Sequence, residues 1–191
     1  MPRERGTNEA MSDEQVVLLD PDGTSVGSAA KSTVHHGDTP LHLGFSCYLF
    51  DPAGRVLLTR RALGKKTWPG VWTNSFCGHP APGEDVADAV HRRARRELGA
   101  ALADVVCVLP DFRYWARAAD GTVENEVCPV FCALIDGSVT PAPDEVMDLV
   151  WAEWGELRAA AALRWAISPW AQSQVPQLEA AGLPVWARVA V

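Results

Sequence analysis

Three histidines, two glutamates and one cysteine stand out by their spacing. Cys77 and His79 are two apart, as are Glu124 and Glu126 with Asn125 between them. Residues two apart on a β-strand face the same side, so each pair can present both side chains to one site. Two carboxylates held side by side repel each other unless a positive charge lies between them, and a divalent metal ion is the simplest such charge. His35 and His42 flank a loop that leads into an apolar strand. Three imidazoles and two carboxylates suit Zn²⁺, Mn²⁺ or a related ion with more than four ligands. Taken singly, each residue has a plainer reading. A lone histidine is more often a surface or core residue, Glu124 and Glu126 could be solvated on an edge strand, and a free cysteine is most often a buried thiol.

The elements that must hold these groups are readable from periodicity. Residues 44–51 (GFSCYLFD) are apolar and β-prone, and an Asp-Pro-Ala-Gly turn at 51–54 returns the chain into residues 56–60 as a hairpin. Residues 16–20 read as a strand before a turn at Asp22-Gly23, 61–72 as a loop, and 73–78 as a short strand that carries Cys77. Residues 85–98 are the clearest helix: Val86, Val90, Ala94 and Leu98 recur at helical spacing and Gly99 stops it. Residues 105–118 and 123–135 are predicted as two strands joined around Asp120-Gly121, with a further strand over 146–154. Helices are predicted over 157–163 and 170–181, with Pro176 expected to kink or break the second. Mixed strands with segregated helices imply an α+β fold, a mixed-sheet sandwich with flanking helices. One domain over residues 14–191 is expected, after a polar, aperiodic and flexible extension over 1–13.

Composition narrows the function. A net charge of −7 argues against a nucleic-acid partner. Eight of the 17 basic residues nevertheless cluster, at Arg60, Arg61, Lys65, Lys66, Arg92, Arg93, Arg95 and Arg96. A basic pocket in an acidic protein suits a small anion. Five cysteines without a CxxC pair point to a reducing cytoplasm rather than a disulfide framework. The longest apolar stretch, near 127–135, is too short to span a bilayer, so no membrane partner is expected, and a monomer is. Most of the eight tryptophans are expected to pack the core.

The stretch Gly78-x5-Glu84-x7-Arg92-Arg93-Ala94-Arg95-Arg96-Glu97-Leu98-Gly99 resembles the Nudix box, a loop–helix signature that holds a metal against a diphosphate. The spacing fits but the chemistry departs: Arg93 and Arg96 stand where that box has glutamates, and Glu97 alone remains of the critical group. The resemblance implies a retained scaffold with hydrolysis lost. Arg93 and Glu97 are four apart, on one helix face, and could grip a diphosphate directly and through Mg²⁺. Arg93 is expected on a polar face, acting through the ligand and not through folding.

Longer motifs name a family. TRRALGKKTWPGVWTNSFCGHP (59–80), RRELG (95–99), DFRYWA (111–116), VENEVCPVF (123–131) and SPW (168–170) look like type I isopentenyl-diphosphate isomerase. The resemblance implies a Nudix-like fold and a metal held by His35, His42, His79, Glu124 and Glu126. It also implies Mg²⁺ bound through Glu97 with the substrate diphosphate, and Cys77 and Glu126 as the catalytic pair. Lys31, Arg61, Lys65 and Arg93 occupy the matching substrate-anion positions, and Tyr114 and Trp170 those of the active-site aromatics. The implied reaction interconverts isopentenyl and dimethylallyl diphosphate, adding a proton at C4 and removing one at C2. An unactivated alkene has no acidic C–H, so protonation leads and generates a carbocation-like state. Glu126 beside a metal and Tyr114 is a plausible acid. Cys77 suits the base, with its thiol expected to be lowered by a positive environment. Trp170 offers an apolar wall and a cation–π face, worth about 2 kcal/mol when desolvated. A Nudix-type pyrophosphohydrolase and a non-catalytic metal-binding module are the competing readings.

Overall fold

A computed structural model describes residues 14–188, so the extension expected over 1–13 lies outside the described residues. The chain opens with strands β1 (Gln15–Leu19) and β2 (Ser25–Ala30) and a single turn of helix, α1 (Lys31–Val34). Strands β3 (His42–Leu43), β4 (Phe45–Phe50), β5 (Val56–Arg61), β6 (Trp72–Thr73) and β7 (Phe76–Gly78) follow. Helix α2 (Val86–Leu98) leads to β8 (Ala101–Leu109), β9 (Arg113–Arg117), β10 (Val123–Val127), β11 (Val130–Asp136) and β12 (Val146–Ala152). Helices α3 (Trp154–Ala161) and α4 (Pro169–Ala181) come next, then a 3₁₀ turn (Val185–Arg188).

Among the described residues two mixed sheets form, in the orders β2-β1-β3-β10-β9 and β12-β5-β4-β11-β8, with β6 added to β5 and β7 to β4. Each sheet has one parallel pair, β3 with β10 and β4 with β11. The architecture is the expected α+β. Strand β4 shows why the second sheet is central: all six of its residues are buried. Its two-residue period sends Phe45, Cys47 and Leu49 to one core, packed with Ala89, Val90, Ala94 and Leu98 of α2. Tyr48 and Phe50 go to the other core, packed with Trp170, Ala171, Val175 and Leu178 of α4. Of the eight tryptophans, Trp68 and Trp170 are buried in that second core and Trp72, Trp154 and Trp186 pack against it. Trp151 packs on the first core, while Trp115 and Trp165 are exposed.

Several expected elements change at their ends. The two long strands predicted over 105–118 and 123–135 do pair, but each divides at a proline, Pro110 and Pro129, and changes sheet there. Proline lacks the N–H that a continued ladder needs. The strand predicted over 73–78 divides at Asn74-Ser75, where side chains replace the ladder. Ser75 Oγ accepts from Leu49 N and donates to Leu57 O, both at 2.6 Å. Strands β4 and β5 thereby splay apart and admit β6 and β7. Pro176 does not break α4. That helix is well started, with Ser168 as cap and Pro169 at its first turn, and Gln174, Val175 and Leu178 anchor it on both sides of Pro176. Helix α3 begins earlier than predicted because Glu153 and Glu156 form a capping box. No helix among the described residues is long and apolar enough to cross a membrane.

Candidate active site and metal centre

Register brings the expected ligands together. On the first sheet Glu126 of β10 lies opposite His42 of β3 on one side and Tyr114 of β9 on the other. Glu124 shares its face, while Asn125 points away and donates to Thr39 O at 3.2 Å. The second sheet supplies β7, which carries Cys77 opposite Ser46 of β4. His79 follows in the loop, and that loop is clasped to α2. Arg92 donates twice to Glu84, each bond 2.7 Å, and once to His79 O at 3.1 Å. Gly44 and Gly78 keep the space open. A Cβ on Gly44 would stand 2.7 Å from Glu126 Cδ, and one on Gly78 would stand 2.7 Å from Arg93 Cγ.

One ligand atom from each of His35, His42, His79 and Glu126 lies within 4.8 Å of the others. The ring centroids are 5.1 to 5.6 Å apart. His42 Nδ1 donates to Pro40 O at 2.9 Å, which leaves a lone pair on Nε2 in the neutral ring. That nitrogen lies 3.4 Å from Glu126 Oε1, which also faces His79 Nε2 at 3.1 Å. Four buried side-chain atoms here have no hydrogen-bond partner among the described residues: His35 Nε2, His42 Nε2, His79 Nδ1 and Glu124 Oε2. Buried polar atoms without partners are costly, and imidazole nitrogens gathered this closely around a carboxylate fit a divalent cation. Glu124 joins the edge of the group, its Oε2 3.1 Å from His35 Nε2. Burial, opposed by Glu126, holds His79 below its ordinary pKa, as suits a neutral donor. Burial alone would raise the Glu126 carboxyl, but the His42 and His79 imidazoles that face it hold it well below the usual range.

A cavity of ≈ 250 Å³ opens beside this cluster and is lined by Lys31, Arg61, Lys65, Cys77, Arg93, Tyr114, Glu126 and Trp170, among others. Every expected catalytic and anion-binding residue is therefore at one place. His42 lies behind the cavity wall, fully buried. Glu97 meets the cavity only through Arg93, whose Nε donates to its Oε1 at 3.0 Å. Arg61 is fixed by donating to Thr67 O at 2.8 and 3.0 Å, and its guanidinium lies 5.8 Å from the Trp170 ring. Two expectations change. Arg93 is 3% exposed, on the buried face of α2 and not a polar one, because Glu97 and Glu145 accompany it inward. Burial pushes the Cys77 thiol up to about 11, against the lowering influence of Ser46, Asn74 and Arg61, where a lowered value was expected. The desolvation of a thiol between two sheets outweighs the nearby charge.

Other residues of the site are not singled out by the sequence. Asn74 Oδ1 accepts from Trp170 Nε1 at 2.9 Å and lies 3.3 Å from Cys77 Sγ, so one amide positions both. Ser46 Oγ sits 3.4 Å from the same sulfur and accepts from Gln174 Nε2 at 2.9 Å. Asn74 belongs to the NSFCGHP run and could have been found there. Glu145, which lines the cavity and touches Lys65 and Arg93, gives no signal in sequence.

Comparisons with known proteins agree with this geometry. A family model described as NUDIX domain matches residues 40–174. The isopentenyl-diphosphate Delta-isomerase of Mycolicibacterium vanbaalenii is 66% identical over 170 residues, covering 89% of this chain and 94% of that one. The protein of the same name from Frankia alni is 58% identical over 176 residues, covering 92% and 91%. Among solved structures, a Deinococcus radiodurans protein superimposes with a TM-score of 0.67 at 18% identity, covering 86% of this chain and 98% of its own. A MutT Nudix hydrolase from Burkholderia pseudomallei gives 0.57 at 23% identity, covering 72% and 98%. Those two likenesses concern the fold.

Proposed function

The chain belongs to the isopentenyl-diphosphate Delta-isomerase family and is an isomerase built on a Nudix fold, and from that premise we propose how its residues divide the work. The observation that carries the reading is that one small cavity holds Cys77 and Glu126 together with five Lys and Arg side chains, Lys31, Arg61, Lys65 and Arg93 among them, and the Tyr114 and Trp170 rings. At ≈ 250 Å³ it falls below the roughly 300–1,000 Å³ of typical ligand pockets, which suits a five-carbon diphosphate better than a nucleotide. Lys31, Arg61, Lys65 and Arg93 take the diphosphate. The five-carbon chain extends toward Cys77, Glu126 and the Trp170 ring. In one direction of the reversible reaction one member of the Cys77/Glu126 pair gives a proton to C4 and the other takes one from C2; the reverse direction exchanges the roles. Tyr114 lies beside Glu126 in register and is tilted against Trp170, 5.8 Å between centroids. Together the rings exclude the water that would trap a carbocation as an alcohol, and Trp170 offers it a π face.

His35, His42, His79, Glu124 and Glu126 would hold Mn²⁺ or Zn²⁺, and Glu97 would meet Mg²⁺ that arrives with the diphosphate. A bound divalent ion would supply positive charge that stabilises carboxylate and phosphate oxygens. The hydrolase alternative is disfavoured by Arg93 and Arg96, which stand where that chemistry needs carboxylates. The free cysteines, Cys47, Cys77, Cys107, Cys128 and Cys132, agree with a cytoplasmic setting. Residues 14–191 act as one domain, a monomer working on a small molecule, with neither nucleic acid nor membrane as partner.

Metal analysis and turnover of three variants test the assignment. Cys77→Ala is expected to fold, keep its metal and turn over almost nothing. Glu126→Gln is expected to lose both turnover and metal affinity, and removal of His79 to affect metal first. Near-normal turnover in Cys77→Ala would remove the thiol from the mechanism, and a metal-free Cys77→Ala would make it a ligand.

A further inference from the structure

Among the described residues three carboxylates reach the cations of the cavity, and they differ in kind. Glu97 sits one helical turn from Arg93 and forms part of its support. Glu14 pairs with Lys31 at 2.5 Å and lies 3.6 Å from Arg93 Nη1, but its side chain is 52% exposed, so water screens it and replaces it at little cost. Glu145 lines the cavity and is 11% exposed. Its Oε2 takes the Lys65 ammonium, and its Oε1 lies 3.2 Å from Arg93 Nη2. Its backbone is fixed as well: Glu145 O accepts from Ala62 N and Glu145 N donates to Ala142 O, both at 3.0 Å. A single carboxylate therefore bridges two cations that come from different elements, the loop after β5 and helix α2. Two oxygens on one centre, spanning an ammonium and a guanidinium, are also what a phosphoryl group would present.

We propose that Glu145 is an internal stand-in for one phosphoryl group of the substrate. Before substrate arrives it holds Lys65 and Arg93 in position and offsets the repulsion between the two cations. The incoming diphosphate must take both cations from it. That exchange sets a threshold: a diphosphate carries enough charge to displace Glu145, and a monophosphate does not. Glu145 is thus a residue that determines specificity for the diphosphate. The inference rests on the reading of Lys65 and Arg93 as diphosphate ligands.

Calorimetric titration of the metal-loaded protein with inorganic pyrophosphate and with inorganic phosphate, each with and without Mg²⁺, tests it. Glu145→Gln keeps the shape and removes the charge. It is expected to bind pyrophosphate roughly tenfold tighter or more without Mg²⁺, with a larger gain for phosphate, so that selectivity narrows. Glu145→Asp, which keeps the charge but retracts it by one methylene, gives a smaller gain in the same direction and serves if Glu145→Gln does not fold. Unchanged or weaker binding in the folded variants overturns the proposal, as does a loss confined to Mg²⁺ buffer, which would make Glu145 a cation ligand. Lys65→Gln separates the premise: it must weaken pyrophosphate binding, and if it does not, the anion seat itself is misplaced whatever Glu145 does.

Discussion

Replacing Gly44 with alanine adds one methyl group where the site has no room for it. Gly44 lies between β3 and β4 and is tied to β10 by its N–H, which donates to Val127 O at 2.9 Å. The new Cβ would stand 2.7 Å from Glu126 Cδ and closer still to Oε2. Carbon atoms in contact settle at about 3.5–4.0 Å, so the carboxylate must retreat by roughly 0.8–1.3 Å. A misplacement of about 1 Å in a reacting group costs on the order of 10²-fold in rate. The core loses less, because the displaced group borders a cavity; overpacking costs typically about 1–3 kcal/mol, and the lower end applies here. Turnover of isopentenyl diphosphate by Gly44→Ala is therefore expected to fall about 10²-fold at saturating metal, with weaker metal retention and a cooperative unfolding transition. The assay pairs steady-state rates with metal content and a urea melt. A variant with wild-type rate and metal content would show that Glu126 does not need its observed position, and the steric reasoning would fail.

Other outcomes follow from burial and charge. Arg93→Ala leaves the buried Glu97 without its partner and Glu145 with Lys65 alone, so it is expected to cost about 3 kcal/mol in a denaturant melt, the low end for a broken buried pair; an unchanged midpoint would place Arg93 outside the fold's support. The Glu84 carboxyl is held below its ordinary value by its hydrogen bond from Arg92. A lowered folded pKa contributes stability that is complete above the unfolded value, about 4.3, and is lost as pH falls through the folded one. Glu84→Gln should therefore destabilise at pH 7 and progressively less below about pH 4, and a penalty that grows on acidification would contradict the pairing.

Helix α2 is legible from the amino-acid sequence alone: Val86, Val90, Ala94 and Leu98 mark its buried face, Asp85 and Gly99 stand at its ends, and the structure uses both as caps. The pairs Cys77/His79 and Glu124/Glu126 converge as their two-residue spacing suggests, although the strand itself ends at Gly78 and His79 completes its pair from the loop. The limits are physical. Periodicity reports which face is apolar and not which sheet receives it, so the crossings at Pro110 and Pro129 read as continuous strand. Residues 73–78 read as one strand, yet the fully buried Asn74 and Ser75 interrupt it, because their side chains do the hydrogen bonding of a ladder. Arg93 looks solvated because a helix pattern cannot show carboxylates brought to it from elsewhere. Glu145 sits in a turn about 50 positions after Arg93, and a turn carboxylate is ordinarily a solvated one.

The central claim is that Cys77 and Glu126 move protons on and off a bound five-carbon diphosphate without breaking its phosphate bonds. Turnover of isopentenyl diphosphate in D₂O, followed by NMR of the product, tests it most directly. The account predicts dimethylallyl diphosphate with deuterium in the methyl group derived from C4 and no release of phosphate. Product free of deuterium, which would signal an internal hydrogen shift, or liberated phosphate, which would signal hydrolysis, would contradict it.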